Sequence, residues 1–362
     1  MPVSPEMAAR LTQDLRRVYE DAANQLIRSI AAQVGRGIQD ATWQDRKLDA
    51  LTALMREADA IIVDLRRQVP GAVEQALAYA YRRGGATAAA DAETAGIQGG
   101  FNHMPDSEAI SRLLSDAMRP HEAAIARIRR SVQDAYDAAV SKAAASMLTG
   151  SITRREAARQ ALTELARQGI TGFTDRSGRN WDMAAYAEMA TRTNTGHAAI
   201  QGHLDRLTGL GVDTVYCSDS PEECETCRPF EHQVLSVSGA TTGRLSDGRE
   251  VLMSVADAQQ AGLFHPNCTH SLSIYLPSFT ELEPSQAPDP DDYAERQRQR
   301  AYERRIRSWR RRVEVEEAAL GKEAPEAKAA RKRLREVNAE YTAWLEAHQR
   351  RRSPGRTNLT VR

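Results

Sequence analysis

The sequence predicts a mainly α protein with a small α+β domain, and three observations lead there. Apolar residues recur at three and four over long stretches before residue 150 and again beyond residue 295. The 362 residues are rich in Ala and Arg, with 5% aromatic and 27% charged residues. With a mean hydropathy of −0.55, such a composition suits long solvent-washed helices better than one large globular core. Between 169 and 277 the spacing changes to short apolar runs separated by turn residues.

Each element follows from its own pattern. A first helix is predicted over 4–34, with Ala8, Leu11, Leu15, Val18, Tyr19, Ala22, Leu26 and Ile30 on one face, broken by Gly35-Arg36-Gly37. A second spans 40–69 on Trp43, Leu48, Leu51, Leu54, Ala58, Ile61, Ile62 and Leu65, stopped by Pro70-Gly71. A third runs over 72–95. A fourth covers 107–148, started or kinked at Pro120. Thr153 and Glu156 form a capping box that opens a helix ending near Gln168. Phe173 and Trp181 flank an Asp-Arg-Ser-Gly turn, which reads as a hairpin. A helix over 183–209 follows, then strands at 214–217, 234–237, 251–253 and 272–276.

Prolines 284, 288 and 290 mark a linker over 278–292. Beyond it, Tyr302, Ile306, Trp309, Val313 and Leu320 share one helical face, and Leu334, Val337, Tyr341, Trp344 and Leu345 share another. Two such stripes separated by Gly321 and Pro325 predict a helical hairpin over 293–350, with a flexible tail over 351–362. The organisation read from sequence is therefore a helical region 1–168, an α+β module 169–277, the linker, the hairpin and the tail. Tyr302, Ile306, Trp309, Tyr341 and Trp344 are expected to bind a partner, because a thin hairpin buries little by itself and large aromatics dominate interface energies.

Composition also narrows the function. No apolar run approaches the ~18 residues of a spanning helix. The N-terminus lacks the apolar core of a secretory signal. Lys+Arg and Asp+Glu balance at 49 each, but residues 291–362 carry 20 basic and 12 acidic groups, a net +8, leaving −8 on 1–290. A basic segment on an acidic body suits contact with nucleic acid or with an acidic protein surface, as well as a solvated helical tail. No phosphate-binding glycine loop, dinucleotide fingerprint or nucleophile elbow is present. His103 in its glycine loop and His121 at a helix start read as surface groups, His197 as a satisfied face residue and His203 as a solvent residue.

The four cysteines cluster between 217 and 268. Cys224 and Cys227 form a C-x-x-C turn, and His265-Pro-Asn-Cys268-Thr-His270 supplies a second close group. Zinc takes four tetrahedral nitrogen and sulfur ligands, and two close pairs on two loops can clamp it. The expected ligands are Cys224, Cys227, His265 and Cys268, with His270, His232 and Cys217 as alternates for the fourth place. A redox pair, a disulfide and ordinary loop residues are the other readings of the same cysteines. Glu223, Glu225 and Glu231 lie nearby without the spacing of a hydrolytic zinc site.

Four segments carry a family resemblance: Gly169-Ile170-Thr-Gly-Phe173 through Trp181 and on to Tyr186–Thr193; Thr214–Asp219 through Cys224-x-x-Cys227 to Ser236; Gly262-Leu-Phe-His-Pro-Asn-Cys-Thr-His270; and Gln297–Arg310. Together they resemble the minor capsid protein 2 family of tailed phages, related to the Mu F-like head-morphogenesis proteins. The likeness covers about 170–350. Thr269 stands where the family often has Arg, Arg310 stands for a Lys, and many members lack the C-x-x-C, so the metal does not follow from the resemblance. The resemblance implies a structural virion component near the portal, without catalysis, present in several copies and made in the host bacterial cytoplasm. Its implied partners are portal or major capsid protein, with weak contact to packaged DNA. The alternatives of another class are a metal-dependent nuclease or toxin-like effector, and a zinc-ribbon nucleic-acid-binding module.

Overall fold

The structure, a computed structural model, describes residues 13–39, 47–97, 107–148, 153–168, 171–174, 180–219, 225–265, 268, 270–277, 279–282, 290–352 and 357. Among them are eight helices: α1 Gln13–Gln39, α2 Lys47–Thr94, α3 Ser107–Leu148, α4 Arg154–Gln168, α5 Met183–Gly209, α6 Val255–Gln260, α7 Pro290–Leu320 and α8 Pro325–Ala347. The strands are β1 Thr171–Thr174, β2 Asn180–Asp182, β3 Thr214–Cys217, β4 Val234–Ser236, β5 Gly243–Arg244, β6 Glu250–Ser254 and β7 Leu272–Ile274. The protein is mainly α with a small α+β part, as the sequence predicts. The hairpin β1–β2 pairs Phe173 with Trp181, and α5 has the predicted bounds.

Two predicted helix breaks are not breaks. α1 runs through Gly35, where an added Cβ would come within 2.9 Å of the Ala319 carbonyl oxygen. Gly35 is therefore a close helix contact, not a stop. α2 likewise runs through Pro70. The buried stripe Leu65, Val69, Val73 and Leu77 continues across the proline, so tertiary burial outweighs the missing hydrogen bond. The carbonyl left unbonded belongs to exposed Arg66, where solvent can take it.

The chain forms two compact units, each assembled from three separated stretches: Met1–Leu15, Pro70–Arg119 and Glu188–Arg296 in one, Arg16–Val69, Pro120–Ala187 and Gln297–Arg362 in the other. The consecutive segments drawn from sequence follow composition, and these units cut across them.

The first unit holds a five-stranded sheet in the order β5-β6-β4-β3-β7. β3 is antiparallel to β4 and β7, while β4 and β6 are parallel. Alternation sorts the side chains onto two faces. Val215, Leu235 and Leu272 join Leu207, Ala258, Leu263 and Phe264 on one face, with Ile200 and Leu204 of α5. Val234, Val251 and Tyr275 cluster with Tyr216 separately. β5 and α6 were not anticipated: two exposed strand residues and a six-residue helix leave no periodic signal. α2 and α5 meet backbone to backbone. A Cβ on Gly84 would lie 1.9 Å from the Ala199 carbonyl oxygen, and one on Gly202 2.1 Å from that of Tyr81. Tyr81 Oη donates to Asp205 Oδ2 at 2.6 Å across the same crossing.

In the second unit, Tyr19, Leu26, Ile27 and Ile30 of α1 and Leu54, Ala58 and Leu65 of α2 are buried. The α4 cap forms as predicted, with the Glu156 amide donating to Thr153 Oγ1 at 3.2 Å. The stripes of α7 and α8 close on each other: Ile306, Val337, Tyr341, Trp344 and Leu345 are buried, with Tyr302, Trp309 and Leu334 packed around them. Tyr302 stacks on Tyr341 with ring centroids 5.6 Å apart. Arg28 Nε reaches Glu314 Oε2 at 2.6 Å, tying α1 to α7. Ile306, Tyr341 and Trp344 are thus buried within the hairpin itself, and Tyr302 and Trp309 are half-buried beside them.

Two histidines read as surface groups are buried. His121 is 1% exposed, accepts from or donates to Tyr19 Oη through Nδ1 at 3.1 Å, and stacks on that ring. His203 is fully buried beside Gly84. Sequence placed both on polar faces because neither neighbour in space is near in the chain. Burial pushes both imidazoles down to about 4.

Two predictions follow from this packing. Gly84→Ala and Gly202→Ala must push α2 and α5 apart, and each should cost about 1–3 kcal/mol in urea denaturation. Gly71→Ala, with open space around the site, should be neutral or slightly stabilising. Each buried histidine has its native value depressed below the unfolded 6.5, so its stabilisation is complete above pH 6.5 and is lost as pH falls toward 4. The loss is on the order of 3 kcal/mol per histidine across that window. His121→Gln should flatten the corresponding part of the stability-versus-pH curve.

Candidate metal centre

The site lies on two loops beside the sheet of the first unit. After β3 the chain reaches Cys227, which precedes a short 3₁₀ turn over Arg228–Phe230. Pro229 suits the start of that turn, since its missing N–H would find no partner there anyway. The Phe230 amide donates to the Cys227 carbonyl at 2.9 Å. The second loop follows α6. Gly262 sits at φ +114° and a Cβ on it would stand 2.6 Å from Thr226 Cγ2, so the two loops are pressed together. Phe264 adopts φ +62°, costly for an aromatic residue. His197 of α5 helps hold it, its Nε2 2.9 Å from the Phe264 carbonyl oxygen. The Cys268 amide donates to the His265 carbonyl, closing the turn that presents both side chains.

Cys227, His265 and Cys268 thus converge, with their ligand atoms all within 4.8 Å of one another. Cys227 is fully buried and the other two are half-buried. The Cys227 and Cys268 sulfurs are 3.6 Å apart. Two thiolates on one tetrahedral zinc at about 2.3 Å stand about 3.8 Å apart, whereas a disulfide holds its sulfurs at about 2.05 Å. The donor set of soft sulfur and imidazole can hold a metal ion. Cys224 lies outside the described residues.

The alternates take other places. Cys217 is fully buried on β3, and burial, with Cys268 and Glu231 near, pushes its thiol up. His232, at φ +55°, has Nε2 3.1 Å from Asp219 Oδ2. His270 places Nδ1 3.2 Å from Cys268 Sγ and Nε2 2.5 Å from Glu231 Oε1. Hydrogen bonds from Cys227 and His270 hold the Cys268 thiol well below its usual range. Burial alone would lower His270, but Cys268 and Glu231 raise it to about 9. Glu231 and His197 were not singled out as parts of this site: neither belongs to a ligand spacing, and only the fold brings them near. His103 lies outside the described residues.

With this geometry in view, comparison with known proteins is direct. The family model described as phage minor capsid protein 2 matches residues 3–346. The chain belongs to that family. The match extends well into the N-terminal half, where sequence reading found only generic helices. A relative described as "Structural protein" from Lactococcus phage LL-H is 21% identical over 186 residues, covering 50% of this chain and 50% of that protein. The chain therefore spans about half the length of that curated relative. No solved structure matches. This minor capsid family member is a structural phage protein with a virion setting. No helix among the described residues is long and apolar enough to cross a membrane.

The support of His265 through Phe264 is open to test. His197→Ala leaves the Phe264 carbonyl without this bond and should cost about 1 kcal/mol. Amide exchange should accelerate over 262–268 while the far end of α5 keeps its protection.

Proposed function

We propose that this chain is a non-catalytic minor head protein that assembles with portal or major capsid protein, in several copies per virion, after synthesis in the host cytoplasm. The family match over 3–346 carries the reading. The local chemistry agrees with it: the Cys/His group sits on pressed loops with a buried sulfur, the setting of a staple more than of an open reactive ion. We assign that group to one structural zinc held by Cys227, His265 and Cys268, with Cys224 as the fourth ligand.

The basic segment is an assembly element. Part of its charge is already engaged within the second unit. Arg300 pairs with Glu303, Arg305 with Glu340, Arg312 with Glu316, Arg331 with Glu317 and Arg333 with Glu336. Trp309 remains half-buried under Arg312, whose guanidinium carbon is 5.4 Å from its ring centre. Trp309 and its surroundings are the partner-facing part of the predicted set. Contact with packaged DNA is weak, because the basic groups that are left offer phosphate contacts without a row of aromatic rings for base stacking.

Purified heads should contain the chain together with portal protein, and its absence from them would contradict the assignment. Binding of duplex DNA should fall steeply between 50 and 200 mM salt, a range over which ~6–10 phosphate contacts cost 10³–10⁵ in affinity; tight binding at physiological salt would show a nucleic-acid role instead. Elemental analysis should find about one zinc per chain, as four protein ligands around one ion require. Cys227→Ser should lower that content and render 212–277 protease-sensitive, with little change in far-UV circular dichroism. Metal-free protein resistant over the same segment would remove the zinc assignment.

A further inference from the structure

His270 reads from sequence as a spare ligand, but its ring is engaged elsewhere. Nδ1 is 3.2 Å from Cys268 Sγ, and Nε2 is 2.5 Å from Glu231 Oε1. The side chains are 2% and 3% exposed. A buried carboxylate is costly unless a donor meets it, so this contact fixes the ring. Glu231 is itself fixed by backbone. It follows the 3₁₀ turn that begins after Cys227, bridges to Cys217 of β3, and the next amide, that of His232, donates to the Cys217 carbonyl at 3.0 Å. The backbone that carries the carboxylate is thus anchored to β3 and not to the Cys268 loop. The Glu231–His270 contact therefore joins the Cys227 turn to the Cys268 loop independently of any metal.

We propose that His270, held by Glu231, is not a metal ligand but the hydrogen-bond donor behind one, its Nδ1–H directed at the Cys268 sulfur. This rests on the metal reading above. The ligand atoms of Cys227, His265 and Cys268 converge within 4.8 Å, and His270 is not part of that convergence. Opposite a metal-bound Cys268 thiolate on one side and the Glu231 carboxylate on the other, both ring nitrogens face acceptors, so both are met by N–H and neither is turned to the ion. An N–H on a metal-bound thiolate draws electron density from the sulfur and resists its protonation, so it slows loss of the metal. Partners of this kind orient ligands and commonly change metal affinity 10–100-fold when removed.

The full chain loaded with Co²⁺ in place of zinc provides the test. His270→Ala should keep one Co²⁺ and its four-coordinate visible spectrum. Its sulfur-to-cobalt charge-transfer band should move to longer wavelength, because the sulfur electrons are no longer stabilised. Transfer of the metal to a chromogenic chelator should be about 10–100-fold faster. Glu231→Gln, which keeps an oxygen for the Nε2–H and removes the charge, should shift both readouts the same way by less, and it carries the test if His270→Ala does not fold. His265→Ala should lose the four-coordinate spectrum. The proposal is overturned if His270→Ala loses that spectrum while His265→Ala keeps it, since His270 would then be the ligand. It is equally overturned if both outer variants bind Co²⁺ with unchanged band and release rate. A wild-type chain that takes up no Co²⁺ would instead remove the metal reading on which the proposal stands.

Discussion

In the first unit, α2 and α5 touch through their main chains, and the rest of that unit depends on the contact. At Gly84 and Gly202 there is no room for even one methyl group. That closeness seats α5 so that Ile200, Leu204 and Leu207 reach the sheet and His197 reaches the Phe264 carbonyl. Without it, a sheet whose strands run from two to five residues would have little to pack against. The main-chain strain at Phe264 is tolerable because the same helix meets it with a hydrogen bond.

The loops beside the sheet show how a domain with few aromatics keeps irregular chain in place. Hydrogen bonding does part of it. Asp213 accepts from Ser236 Oγ and from the amides of Ser238 and Thr241, and these bonds hold its carboxyl well below the usual range although burial opposes them. Close contact does another part, where Gly262 is pressed against Thr226 beside the Cys/His group. Both devices use side chains to satisfy or pin backbone that no ladder reaches.

Local chemistry was legible in the sequence and tertiary chemistry was not. The hairpin at Phe173 and Trp181, the cap at Thr153, the bounds of α5 and the pairing of Cys227 with Cys268 all depend on residues within a few positions of one another or on a ligand spacing. Pro70 and Gly35 were misjudged because their local preference is to end a helix, while burial of Val69 and Val73 and the approach of Ala319 act from a distance. His121 and His203 were misplaced for the same reason. Glu231 read only as a nearby carboxylate, because its place next to His232 gives no hint that it serves a different histidine 39 positions away. The Arg-rich stretch looked like a surface for others, and part of it is met by glutamates of its own hairpin.

The interleaving of the chain has a consequence for how the protein is made. The second unit combines Arg16–Val69 with Gln297–Arg362, so the ribosome must deliver most of the polypeptide before the earliest helix of that unit can meet its last neighbours. At roughly 5–20 residues per second, synthesis leaves α1 waiting on the order of tens of seconds for α7 and α8. Contacts so distant in sequence also form slowly once the chain is complete. Newly made copies therefore pass through an interval in which they are vulnerable to sticking together, and a chaperone that covers the waiting helix would shorten it.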